Sequence, residues 1–157
     1  MKTSIIFSIL LFSSLFVNAQ KSTAILASHK AVLSNLDGTY TITDETNKRK
    51  VMHFENGVLH GELLVYGKSN ILLEKQNYLH GERHGYWTFW NKAGKKTAVI
   101  QYSKGLKEGK WELFNKNGSR KAIMFYKAGL KTGIWRSYDL EGNLIDERNY
   151  NLEVAAK

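Results

Sequence analysis

The residues best suited to chemistry lie in one short stretch, YLHGERHGYWTFWNKAG, which spans residues 78–94. Here His80 and His84 stand on either side of Glu82, and His60 precedes His84 by 24 residues. Imidazole nitrogens and carboxylate oxygens are good ligands for Zn²⁺ or Cu²⁺. His60, His80 and His84 are therefore the candidate metal ligands. Their spacing fixes no complete ligand set, so surface histidines without a metal are the favoured interpretation.

Other catalytic arrangements have less support. The chain contains no cysteine and no Gly-x-Ser-x-Gly motif, and neither His29 nor His53 has an evident carboxylate or serine partner. The glycines and lysines of residues 105–110 superficially suggest a phosphate-binding loop but lack the Walker spacing. We therefore predict that the protein is not an enzyme, has no catalytic residues and uses no cofactor.

A repeat with a period of 24 residues organises the elements that carry these side chains. Each unit reads aromatic-x-x-Gly-x-x-x-Gly-x-Trp-x-x-aromatic-x-x-x-Gly, with leucine in the tryptophan slot of the first unit and asparagine in its last glycine slot. The columns that we interpret as structural are Tyr78, Tyr102 and Tyr126; Gly57, Gly81, Gly105 and Gly129; Gly61, Gly85, Gly109 and Gly133; and Trp87, Trp111 and Trp135.

Each unit has the pattern of a β-hairpin. Trp111 and Leu113 alternate onto one face, as a strand requires, and a polar loop closing on Gly118 follows them. A second strand then runs from Lys121 to Tyr126, and the two-glycine segment reverses the chain again. The pattern predicts an all-β fold, an elongated antiparallel meander of consecutive hairpins in which the Trp and Tyr columns form the core.

The repeat also separates fixed from variable positions. The slot of His84 holds His60, Glu108 and Thr132 in the other units, whereas the flanking glycines never change. The glycines are therefore interpreted as architecture, and the histidines as variable surface residues.

The two ends of the chain depart from the repeat. Residues 1–19, with Lys2, an apolar run and a small-x-small site ending at Ala19, have the pattern of a cleaved secretory signal peptide. Residues 20–37 form either a flexible leader or a short helix. The repeat domain is placed at residues 38–157, with a capping hairpin at 38–54, units starting near 54, 78, 102 and 126, and an incomplete unit from 150. The predicted location is periplasmic or secreted, with no membrane span after cleavage.

Charge is concentrated in one part of the chain. Residues 92–131, called the basic segment below, hold eleven Lys or Arg and two Glu, a net charge of +9, while the whole chain also carries +9. Such a surface attracts anionic partners such as lipid head groups, lipopolysaccharide or acidic glycans; we do not expect nucleic acid. A plainer interpretation, that the lysines only keep the sheet soluble, stays open. The candidate contact residues are Tyr86, Trp90, Lys107, Lys110 and Lys131.

From about Gly38 to Tyr150 the unit resembles the MORN repeat, and more closely the bacterial MORN-variant proteins often labelled YwqK-family antitoxins. The resemblance rests on the glycine pair, the tryptophan and the trailing aromatic, which recur in register. It implies stacked hairpins in a single sheet, a binding or scaffolding role, and protein or lipid partners.

The expected function is an exported, non-catalytic module that binds a protein or an anionic envelope component. The alternative is an antitoxin-like or immunity protein that neutralises an exported toxin, since ordinary intracellular antitoxins carry no export signal. The oligomeric state is not predicted.

Overall fold

A computed structural model describes residues 36–151 of the 157-residue chain. Twelve strands follow one another along these residues, with one 3₁₀ turn at Lys68–Asn70. The strands are β1 (Gly38–Thr43), β2 (Arg49–Glu55), β3 (Val58–Tyr66), β4 (Leu72–Leu79), β5 (Glu82–Arg83), β6 (Gly85–Trp90), β7 (Lys96–Ser103), β8 (Leu106–Lys107), β9 (Gly109–Phe114), β10 (Arg120–Lys127), β11 (Leu130–Tyr138) and β12 (Leu144–Asn149).

The strands form one antiparallel sheet in chain order, β1-β2-β3-β4-β6-β7-β9-β10-β11-β12, with the two-residue strands β5 and β8 paired to β4 and β7. The predicted all-β meander of hairpins is therefore confirmed. The signal peptide predicted for residues 1–19 and nearly all of the predicted leader or helix at 20–37 lie outside the described residues.

One long edge of the sheet consists of polar loops closed by side-chain hydrogen bonds. In the loop after β6, the Asn91 carboxamide oxygen accepts hydrogen bonds from the backbone N–H groups of Ala93 and Lys95, at 2.9 and 3.0 Å. Asp139 has the same role after β11, and the hydrogen bond from the Asn143 side chain holds the pKa of Asp139 below its usual value. Asx turns of this kind require little more than an Asn or Asp at the start of the loop and a glycine after it.

The opposite long edge, called the turn edge below, consists of two-residue turns. Both central residues of each turn have positive φ, which is the type I′ geometry that suits the twist of a hairpin. The turns are Asn56-Gly57, His80-Gly81, Lys104-Gly105 and Ala128-Gly129. Successive turns are also hydrogen-bonded to one another. The N–H of Gly105 donates to the Arg83 carbonyl at 2.9 Å, and the N–H of Gly129 donates to the Lys107 carbonyl at 2.8 Å.

The second glycine of each unit lies at a kink where the chain leaves the turn and re-enters the sheet. Gly109 has φ +61° and Gly133 has φ +66°, a left-handed conformation that glycine adopts without steric cost. The neighbouring Glu108 N–H donates to the Gln101 carbonyl, so the short strand β8 and the strand β9 both pair with β7. This kink brings the next tryptophan onto the same face as the preceding tyrosine.

Candidate binding surface

One face of the sheet carries a continuous ladder of aromatic rings. Tyrosines and tryptophans alternate along it, and neighbouring ring centroids lie 4.6–5.3 Å apart in tilted or edge-on orientations. The seven rings, called the ladder below, are Tyr78, Trp87, Tyr102, Trp111, Tyr126, Trp135 and Tyr150. Such geometries add stabilisation beyond the area buried.

Hydrogen bonds fix each tryptophan of the ladder to the preceding strand. The indole N–H of Trp111 donates to the Gln101 carbonyl at 2.9 Å, and that of Trp135 donates to the Phe125 carbonyl at 3.0 Å. Trp87 makes the same bond to Asn77. Because Trp87, Tyr102, Tyr126 and Tyr150 are buried, the ladder is the core of this single sheet and not an open stacking platform.

Cationic side chains cover the outer side of the ladder. The Lys107 ammonium lies 4.9 Å from the ring centre of Trp111 and 4.7 Å from that of Tyr126. Lys131 lies 4.8 Å from both Trp135 and Tyr150. At these distances a cation is attracted to the ring face. The structure thus gives Lys107 and Lys131, predicted as partner contacts, a packing role, although both side chains remain exposed to solvent.

Lys110 lies on the opposite face, in a small ion-pair network. Its ammonium is 2.9 Å from the carboxylate of Glu112, and Arg120 is 3.2 Å from the same oxygen. Burial of Glu112 would raise its pKa, but the hydrogen bonds and charges of Lys110 and Arg120 outweigh it, so the pKa lies below the usual value. Lys110 and Arg120 thus both pair with one carboxylate, and the Glu112 side chain that carries it is only 20 % exposed.

We expect Glu112→Gln to destabilise the protein at pH 7 by about 1 kcal/mol, since it removes a charge-assisted pair. A depressed carboxyl pKa contributes stability above the ordinary glutamate value of about 4.3, and this contribution is lost as the pH falls through the folded pKa. The deficit should therefore shrink in urea unfolding experiments as the pH falls below about 4.3, and disappear once Glu112 is protonated in the folded state as well. Glu62→Gln is the control, because the Lys75–Glu62 pair is more exposed and should cost less. A deficit that is unchanged at low pH would contradict this assignment.

Tyr86 and Trp90 also lie on the face opposite the ladder. Tyr86 is 58 % exposed, and its backbone carbonyl accepts a hydrogen bond from the Asn77 side chain. Trp90 is half-buried and pairs across the sheet with Lys96. Tyr86 therefore presents an open aromatic surface, whereas much of Trp90 is covered by its own sheet.

The histidines do not converge on one point. The rings of His60 and His80 are 5.1 Å apart, and His60 Nδ1 lies 3.4 Å from a Glu55 carboxylate oxygen without hydrogen-bond alignment. His84 belongs to the same unit as His80, and its buried Nδ1 has no partner among the described residues. Within residues 36–151 no three His, Asp or Glu side chains come close enough together to hold a metal ion.

A row of exposed aliphatic side chains was missed by the sequence reasoning. Val58, Leu106 and Leu130 each follow the turn glycine of a unit, and Leu79 directly precedes the turn His80-Gly81. Leu106 is 52 % exposed and Leu130 is 72 % exposed. The signal was present in the repeat, because the slot after the glycine holds an aliphatic residue in three of four units, with Glu82 as the exception.

The fold and the ladder together define a hairpin-repeat protein built from a single sheet. In comparisons with known proteins, residues 107–128 and 131–152 match the MORN repeat variant, as two consecutive repeats. MORN repeats generally serve as modules that bind proteins or membranes. No curated protein matched the chain. In the described part of the chain no helix is long and apolar enough to span a bilayer.

Proposed function

We propose that this protein is an exported, non-catalytic binding module whose basic segment attaches it to an anionic component of the cell envelope. The candidate classes are lipid head groups, lipopolysaccharide and acidic glycans. The observation that carries the proposal is the net charge of +9 within residues 92–131, in a chain whose total is also +9.

The fold supports this assignment because it keeps the charges close together. The basic segment covers strands β7 to β10 and their turns, which are consecutive neighbours in the sheet. Adjacent strands are about 4.8 Å apart, so these lysines lie within one short block of the sheet, distributed over its two faces and its long edges. Clustered charge of one sign raises the local concentration of oppositely charged partners.

The proposal that the protein is exported rests on the first 19 residues alone. Their charged start, apolar run and small-residue site are typical of a secretory signal. Export would bring the basic segment to an envelope surface, where anionic lipids and glycans are abundant. The absence of a catalytic role is proposed because the residues best suited to chemistry, His60, His80 and His84, occupy variable slots of the repeat.

The test is retention of residues 20–157 on three supports: phosphatidylglycerol vesicles, immobilised lipopolysaccharide and an acidic glycan resin. We expect binding at low ionic strength that weakens as salt is added, because surface charges are screened beyond about 10 Å at 0.1 M salt. Phosphatidylcholine vesicles and a neutral glycan are the controls. The absence of retention on every anionic support would overturn the proposal, as would binding that is indifferent to salt.

A further inference from the structure

We propose that the anionic partner is a phospholipid bilayer, and that the protein meets it with the part of the turn edge formed by Leu106 and Leu130. This inference rests on the proposed function and names the partner and the site. In this arrangement the two leucines enter the interface between head groups and acyl chains, and the neighbouring lysines contact the head groups.

The two leucines belong to adjacent, stacked turns. Gly129 donates its N–H to the Lys107 carbonyl, and a Cβ added at Gly129 would lie 3.7 Å from a methyl group of Leu106. Since neighbouring units are two strands apart, Leu106 and Leu130 are separated by roughly 10 Å. Both directly follow two-residue turns and are exposed at the rim of the sheet, so they can enter a bilayer without unfolding any strand.

The charges around the leucines favour an anionic surface. Lys104 lies in the same turn as Leu106, and Lys127 ends the strand that leads to the turn before Leu130. Both lysines are exposed. The carboxylate of the nearby Glu108 accepts a hydrogen bond from the Ala128 N–H at 2.8 Å and is thereby held against the next turn. Lysines near an anionic leaflet contribute a roughly fivefold gain in partitioning each.

The leucines discriminate between the anionic partners. A glycan or a soluble polyanion offers no apolar phase, so exposed aliphatic side chains would gain nothing from it. Burial of these side chains in a bilayer interface is favourable. Aliphatic residues bordered by lysines are typical of segments that lie in the interface. The lysines alone would fit any polyanion, whereas exposed leucines together with lysines fit a membrane.

The same edge provides its own control. In the first two units Val58 is 42 % exposed and Leu79 is 37 % exposed, but they pair across their turns with Glu55 and Glu82, and the nearby Arg83 packs on the Tyr102 ring. These units should not dock on an anionic bilayer. The doubly substituted variants Leu106→Ser/Leu130→Ser and Val58→Ser/Leu79→Ser each remove two exposed aliphatic side chains beside turns of the same edge.

The experiment measures binding of residues 20–157 to vesicles of phosphatidylglycerol and phosphatidylcholine in equal parts. We expect the Leu106→Ser/Leu130→Ser variant to bind at least about tenfold more weakly, and the Val58→Ser/Leu79→Ser variant to bind like the wild type. Circular dichroism melting shows whether each variant is folded. Because the chain has no cysteine, Leu130→Cys and Val58→Cys can each carry one environment-sensitive fluorophore. We expect a blue shift with vesicles only for the label at residue 130.

The outcomes separate this inference from the proposed function. Wild-type binding that is unaffected by Leu106→Ser/Leu130→Ser, or a label at residue 130 that stays in water, would overturn the inference and leave the anionic-surface function standing. Retention on the acidic glycan but not on vesicles would have the same meaning. If the wild type binds no anionic support, the proposed function and the inference both fail.

Discussion

Trp111→Ala should destabilise the protein by about 3 kcal/mol, a large share of the 5–15 kcal/mol that holds a typical domain together. Trp111 is the central ring of the ladder, with Tyr102 at 5.3 Å on one side and Tyr126 at 5.0 Å on the other. The substitution also removes the hydrogen bond to the Gln101 carbonyl and leaves Lys107 without one of its two rings. Because each unit contacts only its neighbours, a gap at the centre also weakens the coupling between the two halves of the array.

Urea unfolding monitored by circular dichroism measures this loss. Tyr86→Ala is the matched control. Tyr86 lies two strands from Trp111, and the substitution removes a large aromatic ring from the face opposite the ladder, where the side chain is 58 % exposed. We expect the control to change the free energy of unfolding by less than about 0.5 kcal/mol. Similar costs for both variants would show that the ladder is not the core.

Neutralising Lys104 and Lys127 to glutamine should weaken binding to phosphatidylglycerol vesicles by roughly 25-fold, because each of these turn-edge lysines contributes about 1 kcal/mol near an anionic surface. Within residues 36–151 neither lysine has an ion-pair partner, so folding should be unaffected. Vesicle sedimentation over a range of lipid concentrations measures the change.

The charge-matched control neutralises Lys48 and Lys68, which are exposed and lie outside the basic segment. Both double variants have the same net charge, so a non-specific effect of total charge would weaken them equally. We expect the control variant to bind nearly as well as the wild type. Equal losses in the two variants would refute a localised site.

The repeat made the fold predictable to an unusual degree. The glycine columns and the alternating Trp and Leu positions predicted hairpins in chain order, because turn chemistry and strand alternation are local properties that recur in every unit. The strands neighbour one another in chain order because the connections between them are short. The predicted strand over 121–126 is close to the observed β10, Arg120–Lys127.

The arrangement of side chains was less predictable. The sequence showed that Lys107 and Lys131 are basic, but their positions over the ladder depend on the kink at the second glycine, which a repeat pattern does not specify. His60 and His84 share a slot, yet it is His80 that lies beside His60, because the turn of one unit stacks on the kink of the previous one. Contacts between units depend on this stacking.

The exposed leucines show a different limit. In the sequence Leu106 and Leu130 resemble any other aliphatic residue of a strand, and the pattern alone does not say which side chains remain in water. Only the packed sheet shows that they project from its rim, beside Lys104 and Lys127. Exposure of an aliphatic side chain is a property of the assembled array.

Amide hydrogen exchange of residues 20–157, with and without phosphatidylglycerol vesicles, tests most directly the claim that the basic segment is the docking surface. Vesicle binding should slow exchange at the turns around Lys104-Gly105 and Ala128-Gly129, and leave the turns at Asn56-Gly57 and His80-Gly81 unchanged. Protection confined to the first two turns, or spread evenly over all four, would contradict this account.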